Sequence, residues 1–139
     1  MNNEVAPCIL LIEDEQDLRD LLQTIVREMG YRAIQATSGD QGIALATQLH
    51  PRLVLLDVMM PGLNGFDVCG VLKAQEETAD IPIVFLTAAG DTRHRHVGAE
   101  SGADGYIVKP FDLNDLQERL MAVLNGAPAA PHTPAALAP

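Results

Sequence analysis

The chain has 139 residues, with 47% hydrophobic and 20% charged residues, a balance that suits one soluble domain around a single core. Nine basic residues against nineteen acidic ones give a formal net charge of −10, which argues against direct nucleic-acid binding by this segment. No apolar run reaches the ~20 residues that span a bilayer, and Met1 to Glu4 lacks the basic-then-apolar pattern of a secretory signal. A cytoplasmic protein with no membrane contact is therefore expected.

Cys8-Ile-Leu-Leu-Ile12 is a short continuous apolar run, the pattern of a strand buried on both faces. Cys8 and Cys69 both lie in apolar stretches and read as buried, reduced thiols. After Glu13-Asp14-Glu15, Leu18, Leu21, Leu22, Ile25, Val26 and Met29 recur at helical steps, and Gly30 ends the pattern. Tyr31 to Ala36 reads as a less apolar edge strand, followed by a helix from Ser38 to Leu49 with Ile43, Leu45, Ala46 and Leu49 as core contacts. Leu53-Val-Leu-Leu56 is the most hydrophobic strand and is expected at the centre of the sheet.

A Pro61-Gly62 turn precedes a helix from Gly65 to Gln75, and Ile81 to Leu86 reads as strand four, with Pro82 at its start. A weak helix over Asp91–Ser101, a strand over Gly105–Val108 and a helix over Leu113–Leu124 complete the pattern; Asp112 is the expected N-cap of the last. Five βα repeats predict a parallel sheet with helices on both faces. Residues 5–125 form the expected domain, and the Pro/Ala-rich residues 126–139 read as a disordered tail or linker.

In an open α/β sheet, function concentrates at the carboxyl ends of the strands. There the predicted elements place Glu13 and Asp14, Asp57, Thr87 and Lys109. Taken singly, each carboxylate could be a loop acid or a helix cap, Asp14 included. Together, three converging carboxylates need more positive charge than Lys109 supplies, and an all-oxygen set suits Mg²⁺. With that charge offset, Asp57 can act as a nucleophile toward a phosphoryl group.

The order Glu13-Asp14, Asp57, Thr87 and Lys109-Pro110 resembles the receiver domain of two-component response regulators over about residues 7–125. Asp57-Val-Met-Met-Pro-Gly-Leu-Asn-Gly65 and Gly102-Ala-Asp-Gly-Tyr-Ile-Val-Lys-Pro-Phe111 carry the likeness. The resemblance implies a flavodoxin-like, doubly wound five-stranded sheet in the order 2-1-3-4-5 with five helices. It implies that a histidine kinase or histidine phosphotransfer protein phosphorylates Asp57 in a Mg²⁺-dependent reaction. Asp14, Asp57 and the Met59 backbone carbonyl are then the metal ligands, with Glu13 acting through a water. Lys109 and Thr87 are expected to contact the phosphoryl oxygens, and Lys109-Pro110 to be cis.

On this reading Thr87 moves toward the phosphoryl group and Tyr106 rotates inward, so that the face built from the fourth helix, fifth strand and fifth helix controls an effector. Gly90, Gly98 and Gly102 punctuate the segment that must yield, and apolar residues there are few. His94 and His96 point to different faces of a helix, so with Arg93 and Arg95 they read as an exposed basic patch rather than a chelate; His50 and His132 read as loop and tail residues. Met59 and Ala89, two residues beyond Asp57 and Thr87, cannot readily orient a hydrolytic water, which predicts slow self-dephosphorylation. Asp104-Gly105 lacks the paired acids by which transcription-factor receivers associate, so the chain is expected as a monomer or a phosphorylation-dependent dimer. The rival readings are a phosphohydrolase, which would need an acid at Met59; a flavin-phosphate module, whose phosphate Glu13-Asp14-Glu15 would repel; and an inactive, receiver-like scaffold for protein interaction.

Overall fold

The computed structural model describes residues 7–60, 62, 64–88 and 102–126. The expected helix over Asp91–Ser101, the residues Ala89, Gly90, His94 and His96, and the tail lie outside the described residues. The elements are β1 (Cys8–Ile12), α1 (Gln16–Glu28), β2 (Arg32–Ala36), α2 (Gly39–Leu49), β3 (Leu53–Asp57), α3 (Gly65–Ala74), β4 (Ile83–Ala88), β5 (Gly105–Lys109) and α4 (Leu113–Leu124). All pairings are parallel and the strand order is β2-β1-β3-β4-β5, the flavodoxin-like order expected. Among the described residues, no helix is long and apolar enough to cross a membrane.

Alternating strand residues feed two cores, because successive side chains of a strand point to opposite faces. Leu10, Ile12, Val54, Leu56, Ile83 and Phe85 pack with α2 and α3, through Ala46, Val68, Cys69 and Leu72. Ile9, Leu11, Leu53, Leu55, Val84, Leu86 and Ile107 pack with α1 and α4, through Leu22, Ile25, Val26, Leu116 and Leu120. The three inner strands are thus buried on both faces, which is why they read as continuous apolar runs. Both cysteines are buried free thiols, and burial pushes Cys69 up to about 11, leaving it protonated and unreactive.

Several details depart from the sequence expectation. Strand four begins at Ile83, not Ile81, and runs through Thr87 to Ala88. Ile81 instead donates its N–H to the Thr78 carbonyl, closing the turn after α3. Leu21 is exposed because the six apolar positions of α1 exceed what one narrow contact stripe can cover, and Leu49, expected in the core, is exposed as the last residue of α2. Asp112 occupies the N-cap of α4 without a side-chain capping bond. Ser38 and Asn64 do cap α2 and α3, accepting from Gln41 N and Asp67 N.

Candidate functional site

The sheet register decides which side chains meet. Ile12 pairs with Leu56, so the residues that follow, Glu13 and Asp57, lie side by side at the strand ends. Asp57 pairs with Leu86, and Ala88 with Lys109, which brings Thr87 and Lys109 to the same edge. Oxygen atoms of Glu13, Asp14 and Asp57 all lie within 4.8 Å of one another. Asp57 is only 3% exposed and Glu13 1%, whereas Asp14 is exposed.

Each carboxylate is held differently. Asp57 Oδ1 accepts from Met59 N at 2.9 Å, and Oδ2 faces Lys109 Nζ at 3.4 Å. One Glu13 oxygen, Oε2, accepts from Glu15 N at 3.0 Å, while Oε1 is buried without a hydrogen-bond partner among the described residues. Asp14 does not cap α1; Glu15 occupies that position, again without a side-chain bond. The Lys109-Pro110 bond is cis.

Burial pushes the Glu13 carboxyl from 4.5 up to about 8, and the adjoining Asp57 adds to the rise against the opposing pull of the Glu15 amide and Lys109. Between those pH values the folded chain binds the proton more tightly than the unfolded one, so the associated stability is full below about 4.5 and is lost as pH rises through about 8. In metal-free buffer, denaturation midpoints are expected to decline across this window, and Glu13→Gln is expected to flatten the decline. A midpoint that rises with pH equally in both proteins would contradict the assignment.

A divalent cation fits this donor set. Three carboxylates converge with one ammonium for compensation, and among the described residues no donor is aimed at a buried oxygen of Glu13; hard oxygen donors of this kind suit Mg²⁺. Thr87 Oγ1 is the other buried side-chain atom that lacks a partner among the described residues. It sits one residue beyond the Leu86 that pairs with Asp57. Tyr106, half-buried on β5, stacks on Phe85 with ring centroids 6.2 Å apart. Met59 is 59% exposed, two residues beyond Asp57. An open groove of about 550 Å³ adjoins the site, lined by Leu18, Leu21, Pro110 and Phe111 together with Glu15, Asp17 and Lys109, and this is where the exposed Leu21 belongs.

Two arrangements have no counterpart in the sequence reading. Arg19 of α1 donates from Nη1 to the carbonyls of Glu13 at 3.0 Å and Asp14 at 3.1 Å. A cation near a helix N-terminus opposes the helix dipole, and that misplacement is the one signal that could have singled it out. At the opposite edge, Lys73 Nζ donates to the Ile81 carbonyl at 2.9 Å and to Asp104 Oδ2 at 3.3 Å, and that oxygen also accepts from Ile83 N at 2.8 Å.

Comparison with known proteins agrees with this architecture. The sequence model of the response regulator receiver domain matches residues 9–121. The DNA-binding dual master transcriptional regulator RpaA of Synechocystis is 44% identical over 118 residues, which are 85% of this chain and 49% of that protein. The chain therefore spans about half the length of the curated relatives it matches. A putative response regulator from Chloroflexus aurantiacus superposes with a TM-score of 0.83 at 29% identity, covering 87% of this chain and 99% of that one. The receiver domain of the sensor histidine kinase PA1611 from Pseudomonas aeruginosa, whose structure has a magnesium ion coordinated in its active-site cleft, gives a TM-score of 0.79 at 28% identity over 88% of this chain and all of that one. On this match and this fold, the chain belongs to the response regulator receiver domains, the phosphoaccepting signalling modules of two-component systems.

Proposed function

We propose that Asp57 is the phosphoryl acceptor, served by a Mg²⁺ site made of Asp14, Asp57, the Met59 carbonyl and, through water, Glu13. The observation that carries this is the convergence of three carboxylates at one sheet edge, with Lys109 paired to Asp57 among them. A bound divalent cation would offset negative charge on both the acids and an incoming phosphoryl group. Met59 N fixes one Asp57 oxygen and leaves the other toward Lys109. That oxygen attacks phosphorus, the donor's leaving group departs with the bond electrons, and Lys109 stays beside the charge that Asp57 gains. The chain catalyses only its own phosphorylation and slow dephosphorylation, the latter because neither the Met59 thioether, a weak acceptor, nor the Ala89 methyl readily orients a hydrolytic water.

The donor is a histidine kinase or a histidine phosphotransfer protein, and the apolar groove beside Lys109 gives its helices a place to dock. Residues 5–125 act as the receiver, with residues 126–139 as a linker or tail to an unidentified effector. Nucleic acid is not contacted by this acidic segment, although the relative RpaA as a whole is named as DNA-binding. Asp104 is engaged by Lys73 and Ile83 N, so it is not freely offered to a second copy; a monomer, or a dimer formed only on phosphorylation, is consistent with that. Location in the cytoplasm follows from the same reading.

Incubation with acetyl phosphate and Mg²⁺ is expected to add one acid-stable, hydroxylamine-labile phosphoryl group, and chelation of the metal to prevent it. An unchanged intact mass at saturating Mg²⁺ would defeat the acceptor reading and favour a scaffold.

Thr87 is assigned the reading of that group, with Tyr106 following. Thr87 Oγ1 has no partner among the described residues, and an unpartnered buried hydroxyl costs roughly 1–3 kcal/mol. Thr87→Val removes it with little change of shape, so the unphosphorylated protein is expected to gain about 1 kcal/mol in a denaturant titration. The same variant is expected to lose the phosphorylation-induced change in amide exchange around Tyr106. A destabilised variant that still switches would reject the role.

A further inference from the structure

We propose that Arg19 is the positioning residue of the cation site, holding the Glu13–Asp14 backbone so that both carboxylates converge on Asp57. The inference rests on the cation reading above and adds a residue to it.

The Glu13–Glu15 segment leaves β1 and turns into α1 with three consecutive acidic residues. Once Glu13 gives up its proton to serve a cation, mutual repulsion favours splaying them apart, and Asp14 is exposed with no side-chain bond among the described residues to restrain it. The segment is held by its backbone. Glu13 N donates to the Ala36 carbonyl at 3.1 Å, and Arg19 Nη1 takes the carbonyls of Glu13 and Asp14.

The guanidinium is itself fixed from behind. Its Nε donates to Gln35 Oε1 on β2 at 3.3 Å, and Gln35 Nε2 donates to Gln23 Oε1 on α1. A planar fork with several donors can serve both sides at once; a lysine ammonium cannot reach both with the same geometry. The positive charge lies against the peptide carbonyls, not between the carboxylates, so it supports the acids without occupying the place of a cation. Residues that orient metal ligands in this way typically change affinity by 10–100-fold when removed.

The test is Mg²⁺ titration calorimetry on wild type, Arg19→Ala and Arg19→Lys, with thermal unfolding in metal-free buffer alongside. Arg19→Ala is expected to weaken Mg²⁺ binding on the order of tenfold and to speed amide exchange at Glu15. The Mg²⁺ concentration that half-saturates acetyl-phosphate labelling should rise by the same factor, while the rate at saturating Mg²⁺ changes little. Arg19→Lys should fall between the two. A purely structural role would lower the melting temperature and leave the affinity of the folded protein unchanged. Wild-type Mg²⁺ affinity in Arg19→Ala overturns the proposal while leaving the cation site standing. Full recovery in Arg19→Lys overturns it too, since charge alone would then suffice. Wild type that binds no Mg²⁺ overturns the cation reading and this inference with it.

Discussion

Asp57→Asn is expected to abolish phosphoryl acceptance outright: with Mg²⁺ and acetyl phosphate it should keep its unmodified mass while wild type gains a phosphoryl group. The carboxamide has no ionised oxygen to attack phosphorus, so the loss is chemical and does not depend on unfolding. Labelling below a thousandth of the wild-type rate corresponds to a barrier raised by more than about 4 kcal/mol. The fold should survive. Asparagine Oδ1 can still accept from Met59 N, and removing one charge relieves a buried carboxylate beside Glu13. Against that, the amide nitrogen would face Lys109 Nζ where Oδ2 now lies at 3.4 Å, placing donor against donor. These effects oppose each other, and a melting temperature close to wild type is the expected result in metal-free buffer. Mg²⁺ should raise that temperature in wild type and scarcely in the variant. Equal labelling of both proteins would transfer the acceptor role away from Asp57.

The carboxylate-lined sheet edge was legible because its residues close apolar strands. A run such as Leu53–Leu56 admits few alternatives, and whatever follows it must emerge at the sheet edge. Hydrophobicity alone put β2 at an edge and β3 at the centre, but the full sheet order was legible only through the likeness to receiver domains, since periodicity does not say which strands are neighbours. What escaped depends on contacts between distant segments. Glu13 and Asp14 are adjacent and chemically alike, yet one is buried and the other exposed, because the strand's last pleat turns Glu13 toward Asp57. Arg19 looks like a solvated helix cation until the fold brings β1's exit under it. Lys73 and Asp104 are separated by 31 positions, and no local pattern links them. The start of β4 was misplaced for a local reason: Ile81 and Pro82 are apolar and β-compatible, but the N–H of Ile81 belongs to the turn.

Gly65→Ala is expected to be the most damaging single-methyl change near the site. A Cβ built there would lie 2.6 Å from the Asp57 carbonyl oxygen and 2.8 Å from Val58 Cα. Both are backbone atoms at the strand end that carries Asp57. They cannot swing aside as a side chain would, because Val58 N donates to the Leu86 carbonyl at 3.0 Å and Gly65 N to the Val58 carbonyl at 3.1 Å. Either α3 must retreat or the end of β3 must move, and overpacking of this kind costs about 1–3 kcal/mol. Alanine's better helix propensity offsets at most ~1 kcal/mol of that. Gly70, in the middle of the same helix, has nothing within 4 Å of its Cβ position, so Gly70→Ala serves as the control and should stabilise by roughly 0.5–1 kcal/mol. The two variants differ from wild type by the same methyl group and should shift the denaturation midpoint in opposite directions. Gly65→Ala should also slow labelling by acetyl phosphate at temperatures where it remains folded, because the displaced backbone carries Asp57. If both variants stabilised alike, the close approach of α3 to the acceptor strand would not be what requires glycine there.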